Sequence, residues 1–374
     1  MVKIDRVLVV GGGIGGMSAA IALAQAGYAV ELVEADPEWR VLGAGLTVLG
    51  STLRALSHLG VLEEVERQGY FARGNDIYSF KGNLLFQRPG MRMPDAPDLP
   101  SGGGILRPVL HTILSQRVKQ ENITVRLGLH HTHLEEKGDA VRVTFSDGSE
   151  GRYGLIIAAD GVQSSVRRQL FPDAPVPTFT GQGCWRLVVD RPADIVRSSF
   201  YVGGPVTVGV VPVSQQQMYV WVLEHVPDNP WVDPTTQHEQ VRELLKDFGG
   251  GVAKIRDDLN PASIIVYRPL EAVLMPSPWC LGRVLLTGDA AHATTPHLAS
   301  GAGLAIEDGV VIAQELCRAE TVEEALAAFM ERRFDRCRLV VENSIEIGRV
   351  EMAHQPDRIN EIMNVSQEAI AQPF

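Results

Sequence analysis

The stretch VLVVGGGIGG at residues 7–16 decides the fold of this chain. Its first four residues form a short, continuously apolar run, which is typical of a parallel strand buried on both faces. Apolar side chains then recur at helical spacing from Ile14 to Ala24, until Gly27 ends the pattern. The sequence therefore predicts a strand, a glycine-rich turn and a helix in immediate succession.

Three glycines of this turn, Gly11, Gly13 and Gly16, occupy the G-x-G-x-x-G positions. Without a Cβ atom they permit the tight turn, the approach of backbone N–H groups to a pyrophosphate, and close packing of the helix on the sheet. The helix N-terminus adds a partial positive charge, so Ile14 and Gly15 belong to the same predicted site. The turn therefore predicts a dinucleotide-binding site.

A second apolar strand, at residues 30–33, ends in Glu34. A carboxylate in this register can accept hydrogen bonds from both hydroxyls of an adenosine ribose. The alternative is an ordinary solvated carboxylate at a strand end. The order of strand, helix, strand and acid favours ribose binding.

Size and charge limit the function further. A chain of 374 residues can hold two domains, and a hydrophobic content of 45% is ordinary for a soluble enzyme. The net charge of −11 and the pI near 5.4 argue against a nucleic-acid or anionic-membrane partner, because both need a basic surface. Because the sequence shows neither an apolar run of membrane-spanning length nor a leader pattern, we expect a cytoplasmic protein.

Cysteines and histidines predict no metal site. The cysteines lack C-x-x-C or metal-finger spacing, so reduced, mostly buried thiols are expected. His130, His131 and His133 lie close together but have no carboxylate or cysteine partner in register, which favours a polar strand edge or turn.

The rest of the pattern predicts further elements. Residues 87–104, rich in Pro, Gly and Met, predict a long loop over an active site. The region from Cys184 to Tyr267 is strand-rich and predicts an antiparallel sheet inserted into the first domain. From Gly301 onward the chain is expected to be mostly helical. Shorter predictions are a helix over 107–120, strands at 124–129, 140–145, 154–158, 206–211, 218–224 and 284–286, and turns at 146–148 and 214–217.

Two later motifs specify the nucleotide. D-G-x-x-S-x-x-R begins at Asp160 after one apolar strand, and G-D-A-A-H, containing Asp289, follows another. Either alone could be a strand-to-helix turn with an Asp cap. The three motifs in this order are highly specific. Over residues 4–350 the sequence resembles the FAD-dependent aromatic hydroxylases. These are single-component flavoprotein monooxygenases such as para-hydroxybenzoate and salicylate hydroxylase.

The resemblance implies an α/β fold: a Rossmann-like FAD-binding domain with an inserted antiparallel β-sheet substrate domain and a helical C-terminus. The expected FAD-binding parts are residues 1–75, 106–180 and 276–374. The expected substrate-side parts are a loop with strands at 76–105 and the β-sheet domain at 181–275.

The resemblance also implies roles for individual residues. The implied cofactor-binding positions are Gly11, Gly13 and Gly16 at the FAD pyrophosphate, Glu34 at the adenosine ribose, Arg40 and Arg107 facing the cofactor, Asp160 serving both FAD and the nicotinamide nucleotide, and Asp289 at the ribityl chain. Gly301 and Ala302 begin a helix whose N–H groups could stabilise negative charge on the reduced flavin. The chain departs from the family at Ala299-Ser300-Gly301, where Gly-Gln-Gly is usual.

The chemistry implied by the resemblance starts with reduction of the flavin by NADH or NADPH. The flavin then captures O₂ as a C4a-hydroperoxide and passes one oxygen atom to an electron-rich ring. Since the sequence has one complete G-x-G-x-x-G, the nicotinamide nucleotide is expected to bind transiently. The implied partners are a small aromatic or heteroaromatic molecule, O₂ and NAD(P)H, acting on a monomer or homodimer.

Each candidate residue for substrate binding or catalysis has two interpretations. Tyr219 and Trp221 lie on a strand where the family places ligand-facing residues, although Tyr219 could equally be a core tyrosine. Arg186 could pair a substrate carboxylate or hold the domain interface. His297, directly after the flavin-facing Pro296, could deprotonate a phenol or serve as a polar lid residue.

Two other functional classes remain open. One is a related flavoprotein that acts on a non-aromatic or purine-type ring, as a urate hydroxylase does, or works as an oxidase. The other is a non-catalytic flavin-binding sensor, which the altered loop at 299–301 keeps open.

Overall fold

A computed structural model describes residues 2–40 and 43–374 of the chain. The strands in chain order are β1 (Val7–Val10), β2 (Val30–Glu34), β3 (Gly45–Leu49), β4 (Tyr70–Ala72), β5 (Asn75–Ser79), β6 (Leu84–Arg88), β7 (Gly102–Leu106), β8 (Thr124–Leu127), β9 (His131–Lys137), β10 (Ala140–Phe145), β11 (Glu150–Tyr153), β12 (Leu155–Ala158), β13 (Thr178–Asp190), β14 (Ser198–Val202), β15 (Thr207–Pro212), β16 (Gln217–His225), β17 (Ile265–Ala272), β18 (Cys280–Leu281) and β19 (Val284–Leu286). The helices are α1 (Ile14–Gln25), α2 (Gly50–His58), α3 (Leu62–Gln68), α4 (Arg107–Gln120), α5 (Ser165–Leu170), α6 (Gln237–Leu244), α7 (Gly250–Asp258), α8 (Asp289–His292), α9 (Gly301–Arg318), α10 (Val322–Met352) and α11 (Pro356–Ala371), with a 3₁₀ turn at Pro296–Leu298.

A six-stranded sheet carries the nucleotide motifs, in the order β18-β19-β12-β1-β2-β8. Its strands are parallel except for the pair β18 and β19. All four residues of β1 are buried, because β2 and β12 flank it, helix α1 packs against the sheet, and β10 of a three-stranded sheet contacts β12 within the same core. This arrangement confirms the predicted Rossmann-like part of the fold.

A seven-stranded sheet, in the order β17-β13-β16-β15-β14-β5-β6, forms the second half of the molecule. Alternate residues of β13, β15 and β16 point to opposite faces. One face packs Trp185, Val208 and Val220 against Val241 of α6 and Val252 of α7. The other face is left to form a cavity wall. The predicted antiparallel sheet contains one parallel pair, β14 with β5.

The prediction of a loop throughout residues 87–104 is wrong at both ends. Strand β6 continues to Arg88, and β7 begins at Gly102 and pairs with β3 and β4. The glycines of β7 made the segment look irregular, but here they allow strands to approach. A Cβ atom on Gly103 would lie 2.1 Å from the Tyr70 carbonyl oxygen. Residues 89–101 do form the connection over the cavity.

The clustered histidines lie at a strand edge, and the four cysteines, all among the described residues, form no disulfide. His131 and His133 lie on β9, an edge strand of a three-stranded sheet with β10 and β11, as expected for a strand edge. The four cysteines are unpaired; Cys184 and Cys337 are buried, and Cys317 is exposed. No helix in residues 2–40 and 43–374 combines the length and apolar character needed to cross a membrane.

Helix α9 packs along α1 and carries a buried acidic pair, Glu307 and Asp308. Arg333 of α10 donates hydrogen bonds of 2.8 Å to both carboxylates. The other oxygen of Asp308 accepts from the Gly288 backbone N–H at 2.9 Å and lies 2.7 Å from His292 Nε2. Burial acts to raise the pKa of Asp308, but His292 and Arg333 hold it at about 2.

Two residues of this network, together with Cys337, carry atoms of the kind that bind metal ions. His292, Asp308 and Cys337 each bring one such atom within 4.8 Å of the others. The Arg333 guanidinium already contacts Asp308 and Cys337. Since a metal ion would be repelled by that cation, we assign the group a structural role.

Replacing Arg333 by Met should leave two buried carboxylates without their shared cation. We expect the free energy of unfolding to fall by about 3–5 kcal/mol, as is typical when one partner of a buried ion pair is removed. Arg338→Met on the same helix removes an exposed pair with Asp335 and should cost less than about 1 kcal/mol. Urea unfolding of both variants measures this; equal losses would contradict the structural role of Arg333.

Candidate active site

A single cavity of 1690 Å³ runs between the two sheets. Ligand pockets are ordinarily about 300–1,000 Å³, so this one has room for a dinucleotide and a second molecule. One end is lined by Gly13, Ile14 and Gly15 at the start of α1, and the other by the open face of the seven-stranded sheet. The connection at residues 89–101 and helix α11 form the outer walls.

The glycines of the first motif divide into two roles. Gly11 has φ of +105°, and a Cβ atom there would lie 2.4 Å from the Ala159 carbonyl oxygen. A Cβ atom on Gly16 would lie 1.9 Å from the Gly11 carbonyl oxygen. A Cβ atom on Gly13 would meet no atom within 4 Å, because this residue faces the cavity. Gly11 and Gly16 therefore serve internal packing, and Gly13 lies open to a ligand.

Three predicted cofactor residues lie beside the cavity rather than in its lining. Glu34 accepts hydrogen bonds from the backbone N–H groups of Gly12, at 2.7 Å, and Asp36, at 2.8 Å. Arg40 is largely exposed and pairs with Asp36 at 3.2 Å. Asp160 accepts from Ser164, Ser165 and Val166 at the start of α5, and so caps that short helix.

The third motif places a carboxylate directly in the cavity. Gly288 has φ of +57°, which turns the chain sharply after β19 and brings Asp289 into the lining. Asp289 is exposed there, and its carboxylate makes no hydrogen bond or ion pair with any residue of 2–40 and 43–374. Gly301 and Ala302 line the same region and supply the free N–H groups of the first turn of α9. Arg107, at the start of α4, also lines the cavity.

The departure from Gly-Gln-Gly has a visible structural cost. Ala299 adopts φ of +49° and ψ of +27°, a left-handed conformation that glycine adopts without strain. Its N–H still donates to the Pro296 carbonyl at 2.9 Å and closes the turn. The alanine therefore keeps the loop geometry although the usual glycine is absent.

The open face of the substrate sheet brings Arg186, Tyr219 and Trp221 together. Arg186 of β13 lies directly opposite Trp221 of β16, and Val188 lies opposite Tyr219. Directly paired residues share a face, and the side chains of Arg186, Tyr219 and Trp221 all line the cavity. Burial raises the pKa of Tyr219 and keeps its phenol neutral, although the neighbouring Arg186 cation opposes that rise.

His297 lines the cavity with Pro296, but only 3% of its side chain is exposed. Its Nδ1 lies 2.8 Å from the Thr295 hydroxyl. Its Nε2 lies 3.6 Å from a carboxylate oxygen of Glu351, an ion-pair distance that is too long for a hydrogen bond. Both ring nitrogens therefore face protein groups.

Sequence reasoning missed several residues of the cavity wall: Gln182, Thr207, Arg268, Glu351 and the inward residues of α11, Ile359 and Met363. Strand alternation could have found the first two. Gln182 is four residues before Arg186 on β13, and Thr207 faces Leu223, the inward neighbour of Trp221. The residues of α10 and α11 gave no local signal.

Comparisons with known proteins agree with this geometry. The family model described as FAD binding domain matches residues 5–344. YetM of Bacillus subtilis (strain 168), provisionally assigned as an FAD-dependent monooxygenase, is 34% identical over 94% of this chain and 95% of its own length. The 2-heptyl-3-hydroxy-4(1H)-quinolone synthase of Pseudomonas aeruginosa (strain UCBPP-PA14) is 33% identical over 94% of this chain and 90% of its own.

A solved structure extends the likeness. The crystal structure of Klebsiella pneumoniae HpxO complexed with FAD and uric acid superposes with a TM-score of 0.86 and 26% identity, covering 98% of this chain and 96% of the other. The chain therefore belongs to the family of FAD-dependent aromatic hydroxylases. The open Cβ position of Gly13 and the unbonded Asp289 carboxylate fit an FAD-binding role.

Gly13→Ala and Gly16→Ala should separate ligand approach from folding. We expect Gly13→Ala to fold but to bind FAD at least about tenfold more weakly, because its methyl group enters the space that a pyrophosphate needs. Gly16→Ala should lose folded protein, since its methyl group would overlap the Gly11 carbonyl. Flavin titration and circular dichroism measure the two effects. Full FAD affinity in Gly13→Ala would rule out the predicted pyrophosphate site.

Ala299→Gly should relieve the left-handed strain. Subtracting the entropic cost of glycine from the strain removed, we expect the free energy of unfolding to rise by about 0.5–1 kcal/mol. Ala327→Gly, at an exposed position inside α10, should lower it by about 1 kcal/mol. Chemical denaturation compares the two, and a loss in both variants would show that Ala299 is unstrained.

Proposed function

We propose that this protein is a monooxygenase that uses NADH or NADPH and O₂ to hydroxylate an aromatic or heteroaromatic small molecule. The observation that carries the proposal is the single cavity that joins the nucleotide end at Gly13–Gly15 to the polar sheet face at Arg186 and Tyr219. A ring bound against that face would share its enclosure with the cofactor. Such contiguity is needed for transfer of an atom from cofactor to substrate.

The residues that would hold FAD follow from their positions. The N–H groups at the start of α1 would hold the pyrophosphate, Asp289 the ribityl chain, and the first turn of α9 the flavin ring. Glu34 would exchange its present backbone hydrogen bonds for the ribose hydroxyls, and Arg107 would face the cofactor. Bound and reduced by NAD(P)H, the flavin supplies the activation of O₂ and the transfer of one oxygen atom to an electron-rich ring.

We keep Arg40 and Asp160 as proposed cofactor residues, although neither of them lines the cavity. Arg40 is exposed at the outer edge of the site, where it would reach the cofactor only by leaving Asp36. Asp160 would act through the turn that it caps, because its neighbours Ala159 and Gly161 line the cavity. Transient binding of the nicotinamide nucleotide at this surface remains part of the proposal.

The substrate face selects for a planar ring with an acidic group. Arg186 can donate paired hydrogen bonds to a carboxylate or a phenolic oxygen, while Trp221 offers a flat apolar surface. The neutral phenol of Tyr219 can donate to a ring oxygen. The relatives named for a quinolone and the solved structure with uric acid support a heteroaromatic ring.

We assign proton transfer to the wall at His297, next to Pro296, with Tyr219 as the alternative group. A positioned base raises the electron density of the ring by removing a phenolic proton. A purine-type substrate, an oxidase reaction and a sensor role are the competing outcomes of the experiment below.

Purified protein should be yellow, and a suitable ring compound should accelerate NADH or NADPH oxidation and appear with one added oxygen atom. Screening quinolones, hydroxybenzoates and urate by absorbance and mass spectrometry tests this. Arg186→Met should lower kcat/KM by about 10–100-fold, the worth of a charge-assisted hydrogen bond, with FAD content unchanged. Arg152→Met, at an exposed pair, is the control. A flavin-loaded protein that oxidises no nicotinamide with any probe would contradict the monooxygenase assignment.

A further inference from the structure

The side chains of Thr295, His297 and Glu351 place a hydroxyl, an imidazole and a carboxylate next to one another in the cavity wall. Thr295 Oγ1 lies 2.8 Å from His297 Nδ1, and His297 Nε2 lies 3.6 Å from Glu351 Oε2. All three residues line the cavity. They come from two elements far apart in sequence, the 3₁₀ turn and the end of α10, which pack against each other.

Glu351 is held in place by the substrate sheet. Gln182 Nε2 donates to one carboxylate oxygen at 3.1 Å, and the Thr207 hydroxyl donates to the other. Burial acts to raise the pKa of Glu351, but His297, Thr207 and Gln182 hold it below its usual value. The carboxylate is therefore charged at neutral pH and fixed on both sides.

A fixed carboxylate determines which nitrogen of His297 carries a proton. The negative charge favours a proton on Nε2, as a carboxylate partner does for histidines in other sites. Nδ1 then remains the basic nitrogen and accepts a hydrogen bond from Thr295. Thr295 Oγ1 occupies the position next to Nδ1, so a proton reaches this nitrogen only through the Thr295 hydroxyl. Both side chains are almost fully buried in the cavity wall.

We propose that Thr295, His297 and Glu351 form a proton relay between the cavity and the buried imidazole, with Glu351 as the positioning residue. The inference rests on the proposed function. In the step, the substrate O–H bond breaks and its proton passes to Thr295 Oγ1. The original Thr295 proton passes to Nδ1, so a phenolate and an imidazolium paired with Glu351 result. After oxygen transfer the proton returns along the same path to the product oxygen, and no electron is exchanged.

In the described part of the chain, the charged group that lies within 4 Å of the His297 imidazole is the Glu351 carboxylate. Gln182 of β13, Thr207 of β15 and Gly348 of α10, which also meet this cluster, are neutral. From α11 the residues lining the cavity are neutral as well: Ile359, Asn360, Met363, Gln367 and Ile370. His354, in the exposed connection before α11, also lines the cavity.

Nuclear magnetic resonance of FAD-loaded protein with ¹⁵N-labelled histidine tests the relay without turnover. The His297 signals are those lost in His297→Gln. We expect His297 to carry its proton on Nε2 in the wild type, and Glu351→Gln to shift the tautomer toward Nδ1. Glu342→Gln, an exposed site on the same helix, should leave the tautomer unchanged. A proton on Nδ1 in the wild type, or an unchanged tautomer in Glu351→Gln, would overturn the proposal.

Turnover with 4-hydroxyquinoline and urate as probes gives the second test. Thr295→Val keeps the shape but removes the hydroxyl, and should lower single-turnover hydroxylation by about 10²–10⁴-fold. The loss should shrink as pH rises and the probe ionises unaided, while Thr295→Ser should retain most of the activity. Equal activity in the Val and Ser variants would refute the relay. A wild type inactive with both probes would count against the proposed function and leave the tautomer of His297 to decide the relay.

Discussion

The carboxylate of Asp308 is the contact on which the nucleotide half depends. It joins α9, α10 and the turn after β19, because its two oxygens bind Arg333, His292 and the Gly288 N–H. That N–H belongs to the residue that turns Asp289 into the cavity. A charge buried for stability thus also fixes the direction of a proposed cofactor ligand. Helix α9 carries this carboxylate about two turns after the N–H groups of its own first turn, so one helix positions both features.

In the substrate half, the alternation of side chains along the strands holds the cavity residues in place. Every second residue of β13 and β16 enters a hydrophobic layer beneath α6 and α7, and the intervening ones face the cavity. The apolar layer fixes the register, because a shift by one residue would bury Arg186 and expose Trp185. Polar cavity residues are therefore held by the packing of their neighbours along each strand.

Local patterns predicted the nucleotide half well. The bounds of α4, β10 and β19 agree with the prediction, since helical and strand periodicity can be seen within a few residues. Two kinds of information were absent from such patterns. Pairing with β3 and β4 gave Gly102–Leu106 a strand conformation that its glycines did not suggest. The approach of Glu351 to His297 depends on how a long helix crosses a distant turn, which neither segment encodes alone.

The sheet order has a consequence for biosynthesis. Strand β12 ends at Ala158, but its neighbour β19 begins only at Val284, and five of the seven strands of the substrate sheet lie between them in sequence. A chain emerging from the ribosome can therefore pair β1 with β2 and β12 well before β19 and α9 exist. Domains generally fold as units during synthesis, so the substrate sheet should be complete while the nucleotide half still waits for its last strand. Capture of the cofactor must then be a late event in the maturation of the protein.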